Sequence, residues 1–240
     1  MDRNSNSYTF IFSIVMVIVV GSALAYAATS LAPLQSKNVK QEKMQNILAT
    51  VGIETDRTGA QAKYEKYIEK EIVLNNKGEI VENREAFNVD LAKELDKPVD
   101  EQVFPLYVAN VEGKKYYIVP VRGSGLWDEI WGYISLESDL NTVAGATFDH
   151  AGETPGLGAE ITKDWFGGMY VNEKIFDTEG NLVGIFSVKG YAQPNNNDDH
   201  KVDTISGATI TSDGVTAMIS ERFAHYVPYF KKQENFNVGN

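Results

Sequence analysis

Hydroxyl side chains crowd one short stretch of this 240-residue chain, Asp203-Thr204-Ile205-Ser206-Gly207-Ala208-Thr209-Ile210-Thr211-Ser212. Phosphoryl transfer to such an alcohol leaves a charged diester, and a charged diester needs hydrogen-bond donors around it. Gly207 and Ala208 are small enough to let a bulky phosphate-bearing group lie close against the backbone. Ser212 and Asp213 are good N-cap types, and Val215, Met218, Ile219 and Phe223 follow at helical spacing. On this reading Thr209 stands just before a helix N-terminus, where free N–H groups and the positive end of the helix dipole favour a phosphate. Thr211 is the nearest rival acceptor, and chemistry alone does not choose between the two.

The plainer reading of Ser-Gly-Ala-Thr is a strand-to-helix turn, and the chain supplies its own control. Gly145-Ala146-Thr147 repeats the core of the motif but follows Ala144 where Ser206 stands in the other copy. Upstream it has Asn141 or Thr142 instead of an Asp, and it runs into Phe148 and Asp149 rather than a capped helix. That copy reads as a strand. The upstream Asp203 and the downstream helix therefore carry the specificity of the second copy.

The elements that must position this stretch follow from periodicity. Met44, Ile47, Leu48 and Val51 predict a helix over 39–51, ended by Gly52. Residues 58–72 and 84–95 read as exposed helices, the latter closed by Pro98. The charge run over 54–101 reads as a solvated face. Tyr116-Tyr117-Ile118-Val119-Pro120-Val121 and Trp131-Gly132-Tyr133-Ile134-Ser135-Leu136 are strand-like, and 141–147 continues the pattern. Residues 170–176 and 182–189 flank Asp177-Thr178-Glu179-Gly180-Asn181 as an expected hairpin. A polar loop over 193–199 leads into the hydroxyl-rich stretch, and Pro228 follows the last helix. The sum is an α+β fold: helices first, an antiparallel sheet, then a terminal helix.

Composition removes several function classes. A net charge of −11 disfavours nucleic acid, whose phosphates need a basic surface. Three His and no Cys leave no thiolate metal site, iron–sulfur cluster or disulfide. No metal set, nucleophile–base pair or Gly-x-Gly-x-x-Gly after a strand is apparent, so no residue is assigned as catalytic or metal-binding.

Residues 8–28 are uncharged and mostly apolar, about the ~20 needed to cross a bilayer as a helix. The expected organisation is a polar tail at 1–7, a transmembrane anchor at 8–31 and one extracytoplasmic domain at 32–240. The alternative is a signal peptide cleaved in Gly21-Ser22-Ala23-Leu24-Ala25-Tyr26-Ala27; apolar residues continuing to Leu31, with a single Arg ahead, favour a retained anchor. Arg3 precedes the span while Lys37, Lys40 and Lys43 follow it, so charge alone favours the domain on the inside. The span carries no acidic or basic residue that would mark an ion path.

Two further segments matter: Gly123-Ser124-Gly125-Leu126-Trp127, with Glu129-Ile130-Trp131-Gly132, and His150-Ala151-Gly152-Glu153-Thr154-Pro155-Gly156-Leu157-Gly158. Taken alone, the first is an ordinary strand end, the second a turn, and His150 a strand-end histidine. Together with the Ser206-Gly207-Ala208-Thr209 motif and the Gln45-Asn46-Ile47-Leu48-Ala49 helix, they make the chain resemble the C subunits of the sodium-translocating NADH:quinone oxidoreductases. Thr204 stands where that family commonly has Gly.

The resemblance implies one FMN, phosphoester-linked to Thr209, with Asp203, Ser206, Gly207 and Ala208 forming its turn. The Gly156-Leu157-Gly158 backbone would lie flat against the isoalloxazine, Thr154 would bond its polar edge, and Trp127 would give apolar cover. It implies an electron carrier in a membrane complex that oxidises NADH, reduces quinone and pumps Na⁺, with no NADH site of its own. The partners implied are the other subunits, the membrane, and a flavin transferase that installs FMN from FAD. The domain would lie on the periplasmic side of the inner membrane, against the literal charge rule. The alternatives are the related G subunit of the ferredoxin:NAD⁺ electron-transfer complex and an anchored scaffold domain without flavin.

Overall fold

Alternating side chains along the strands build two separate cores. In β1 (Ile68–Asn75), Ile72 and Leu74 point to one core and Val73 to the other. In β2 (Val103–Val111), Phe104, Leu106 and Val108 face the first core, and Val103, Tyr107 and Ala109 the second. A strand presents successive residues to opposite faces, so both faces of this sheet are covered. The computed structural model describes residues 5–191 and 198–238. The first four residues of the expected tail and most of the expected 193–199 loop lie outside them.

β3 (Lys114–Ser124), β4 (Glu129–Leu136) and β5 (Val143–His150) complete a five-stranded antiparallel sheet in the order β1-β2-β3-β4-β5. Glu112 and Gly113, both at positive φ, make the two-residue turn between β2 and β3, the geometry that matches strand twist. One core holds α5 (Thr209–Ala224) and α6 (Val227–Phe230) against the sheet through Val215, Met218, Ile219, Phe223 and Phe230. The other holds Ile47 and Leu48 from the end of α1 (Asn6–Ala49) and Val51 from the turn after it, with Tyr64 of α2 (Ala60–Tyr67).

Two compact units, Met1–Lys43 and Met44–Asn240, divide the chain. The first consists largely of α1, whose apolar residues are exposed, Val17 at 72% and Leu24 at 66%. Among the described residues α1 is the one helix long and apolar enough to cross a membrane, with a mean hydropathy of 2.4 over its most apolar window. The helix runs on through Pro33 and through the polar run Gln35-Ser36-Lys37-Asn38, where Gln and Lys are good helix formers in exposed positions. It ends as expected, with Gly52 at φ +75° and the Ile53 N–H donating to the Leu48 carbonyl at 3.1 Å.

Several expected elements are corrected. The helix over 58–72 stops at Tyr67, and residues 68–75 become β1, paired with β2 from Ile68–Ala109 to Asn75–Val103. Burial of Ile72, Val73 and Leu74 outweighs the helical charge pattern ahead of them. Over 84–95 only a short 3₁₀ turn and α3 (Leu91–Leu95) form. The turn at 177–181 is present, with Asp177 Oδ1 accepting the Asn181 N–H at 2.8 Å and Gly180 at φ +79°. Its flanks are not hairpin strands, however: Phe176 and Leu182 meet in a single bridge. The chain helices briefly at α4 (Asp164–Gly168), and β6 (Phe186–Val188) pairs in parallel with β7 (Lys201–Asp203).

Candidate functional site

β7 delivers the hydroxyl-rich stretch to α5. The helix starts four residues earlier than a Ser212 cap implies, and five earlier than an Asp213 cap: Thr209 is its first residue and Ala208 its N-cap. Ser212 is inside the helix, where its N–H donates to the Ala208 carbonyl at 3.0 Å and its Oγ accepts the Ile205 N–H at 3.2 Å. That side chain ties the turn to the helix from within, instead of capping it from ahead. The N–H groups of Thr209, Ile210 and Thr211 have no acceptor among the described residues, as first-turn donors of a helix do not.

The two rival threonines separate clearly. Thr209 is exposed, as are Ser206, Gly207 and Ile210. Thr211 is fully buried, and its hydroxyl donates to Glu153 Oε2 at 2.7 Å. Gly207 sits at φ +79°, which is why the turn calls for glycine, and a Cβ there would press on the Leu157 side chain at 2.9 Å from Cδ2.

Glu153, in sequence no more than one member of a loop, is the centre of the site. It is 5% exposed, and its Oε1 accepts the Trp127 N–H at 2.8 Å. Burial pushes its carboxyl up, but the Trp127 N–H, the Thr211 hydroxyl and the Asp128 and Leu126 N–H groups outweigh this and hold it below the usual carboxylate range. The anion is therefore kept, and it joins three segments distant in sequence. Gly125 and Gly158 make room for it: a Cβ on Gly125 would lie 2.5 Å from Glu153 Oε1, and one on Gly158 would lie 2.6 Å from Thr211 Oγ1. His150 Nδ1 accepts the Glu153 N–H at 3.2 Å and so supports the loop. The only sign of this role in the sequence is an acid with glycines in the segments that meet it.

The remaining expected residues fall around this centre. Trp127 is 70% exposed, Leu126 45% and Leu157 41%, giving apolar surface beside the turn. Thr154 is exposed, and its carbonyl accepts the Leu157 and Ala159 N–H groups, both at 3.1 Å. Asp203 stands apart. Its Oδ1 accepts the N–H groups of Gly190 and Thr204, each at 2.9 Å, so in this structure it shapes the approach to the turn. Thr204 Oγ1 is buried without a partner among the described residues.

Free helix-terminal donors, a turn of small residues, an exposed hydroxyl and flanking apolar surface suit a phosphate-bearing aromatic cofactor. The class agrees: residues 125–222 match the FMN-binding domain family. Across a wider span, the chain is 30% identical over 239 residues to the C subunit of the Na(+)-translocating NADH-quinone reductase of Pseudomonas aeruginosa, covering 91% of each. It is 32% identical over 238 residues to the same subunit of Vibrio campbellii, covering 90% of each. The crystal structure of the C subunit from Parabacteroides distasonis matches with a TM-score of 0.77 and 39% identity, over 85% of this chain and 98% of that one. Shewanella oneidensis NqrC matches at 0.68 and 25%, over 80% and 94%. The chain belongs to the family of Na(+)-translocating NADH-quinone reductase C subunits, in agreement with the motif-level resemblance.

Proposed function

We propose that this chain is the electron-carrying subunit of a membrane complex that oxidises NADH, reduces quinone and transports Na⁺, with one FMN phosphoester-linked to Thr209. The observation that carries the reading is the contrast between two hydroxyls. Thr209 is exposed on the first residue of a 16-residue helix with free N–H groups, whereas Thr211 is buried and already bonded. The helix terminus favours the charged diester.

When bound, FMN supplies the electron-transfer chemistry; the protein binds, orients and shields it. Ser206, Gly207 and Ala208 form the turn against which the phosphate rests, and Asp203 fixes the entry to it. Trp127 and Leu157 cover apolar surface of the flavin, while Thr154 and Gly158 line the loop beside them. Residues 8–31 are the membrane span, preceded by a tail at 1–7 and followed by the flavin domain at 32–240, on the periplasmic side of the inner membrane. The other subunits supply electrons and take them on, and a flavin transferase installs the FMN.

Intact and peptide mass spectrometry on the chain coexpressed with such a transferase tests this directly. An added FMN phosphoester on the Thr209 peptide is expected. An unmodified chain would leave an anchored scaffold domain in its place.

A further inference from the structure

We infer that Glu153 is the positioning residue of the flavin site: its buried carboxylate locks the first turn of α5 to the Leu126-Trp127 and Thr154–Gly158 segments, and so fixes the attached flavin relative to the fold. The inference rests on FMN being carried at Thr209. The acceptor side chain itself is exposed, and a single phosphoester leaves an attached group free to swing about several bonds. Something else must hold the turn and the apolar cover in register.

Glu153 is placed to do so. One carboxylate oxygen takes the Thr211 hydroxyl at 2.7 Å, two residues from Thr209, and the other takes the Trp127 N–H at 2.8 Å. The same residue precedes Thr154, begins the loop that carries Leu157 against Gly207, and has its own N–H held by His150. All three segments proposed to touch the flavin thus converge on one side chain, 5% exposed. Glycine at 125 and 158 removes the side chains that would displace it. Hydrogen bonds to a buried charged group are among the stronger ones, and loss of one partner leaves the other unsatisfied.

The test uses the full chain, coexpressed with its flavin transferase, with Glu153→Ala, Glu153→Gln, Thr211→Val and the double variant Glu153→Ala/Thr211→Val. Peptide mass spectrometry first establishes that FMN is on Thr209 in each. Its absence from the unsubstituted chain would refute the underlying reading and not this one. Glu153→Ala and Thr211→Val are then expected to lower the flavin's fluorescence anisotropy, weaken its visible circular dichroism and shift its midpoint potential. The double variant should change these no more than Glu153→Ala alone, because the two residues share one bond. Glu153→Gln should restore anisotropy and dichroism, since its carbonyl can take the Trp127 N–H and its amide can donate to the Thr211 oxygen. Should Glu153→Ala not fold, Thr211→Val, which keeps the shape, carries the test. Unchanged anisotropy, dichroism and potential in Thr211→Val, with only the melting temperature lowered, would overturn the inference and leave Glu153 a fold-stabilising residue.

Discussion

Two copies of Gly-Ala-Thr lie in this chain, and they do opposite things. Gly145-Ala146-Thr147 is extended within β5, paired to β4 with Ala146 opposite Ile134. Gly145 is there because the Thr50 backbone carbonyl packs where its Cβ would be, and Ser135 Oγ bridges the same carbonyl at 2.6 Å. Thr147 is half-buried and its hydroxyl donates to the Asn46 carbonyl at 3.3 Å. In Gly207-Ala208-Thr209 the glycine is at positive φ, the alanine caps a helix and the threonine hydroxyl is exposed. One copy uses small residues for close packing, the other for conformation and access. What separates them is the flanking sequence: an apolar helix follows one, and an edge of the sheet continues through the other.

The sharpest way to break the contrast is at the threonines. Thr209→Ala is expected to abolish covalent FMN, read by intact mass, while stability changes by no more than about 0.5 kcal/mol because the side chain is exposed. A comparable drop in flavin from Thr147→Ala would erase the distinction. At the glycines, the two copies should respond differently. Gly145→Ala drives a methyl into a backbone carbonyl and is expected to cost roughly 1–3 kcal/mol in urea unfolding, with flavin still on Thr209. Gly207→Ala strains a left-handed turn and presses on Leu157, for a cost of about 1–2 kcal/mol with reduced flavin attachment.

A pH test sharpens the comparison, since only the second copy is fed by β7. Glu173 accepts the Lys201 N–H at 3.2 Å at the start of that strand. Burial, and then the charges of Asp199 and Asp198, push its carboxyl up to about 7 against that N–H; Lys174 and Lys201 are themselves engaged by Asp199 and Asp198. A folded value above the unfolded one, about 4.3 for Glu, means that the protonated form stabilises the fold. That contribution is complete below the unfolded value and is lost as pH rises through about 7. Glu173→Gln should therefore raise the melting temperature at pH 8 and leave it nearly unchanged at pH 4. Thr147→Ala should cost one hydrogen bond, on the order of 0.5–1 kcal/mol by calorimetry, and leave flavin attachment unchanged.

How much of this is legible in the sequence depends on whether the information is local. β3, β4 and β5 can be read because their alternation is plain and each pairs with its sequence neighbour. β1 cannot: charged residues at Glu69, Lys70 and Glu71 hide it, and only pairing with β2 and burial of Ile72, Val73 and Leu74 make it a strand. The expected 170–189 hairpin fails for a related reason, since Phe186–Val188 finds its partner in β7 rather than across the nearer turn. At the site, the motif and its two companion segments are visible as sequence. The role of Glu153 is not, because its meaning lies in Thr211 and Trp127, 58 and 26 residues away.

The sheet is a meander, each strand hydrogen-bonded to the one before it in sequence, and its turn between β2 and β3 needs only two residues. Helix α5, in contrast, docks on β3 from the far end of the chain. Nearby pairings form at small loop-closure cost and distant ones later. The sheet is thus the first unit to pair, and the hydroxyl-bearing turn is added to it through buried Ile205 and Ala208 and a few polar bonds instead of a ladder. Such a segment can open and reclose while the strands stay paired, so amide exchange should be faster across 204–211 than in β2–β4. A cofactor can in that way be fastened onto a domain that has already finished folding, with no need to take the domain apart.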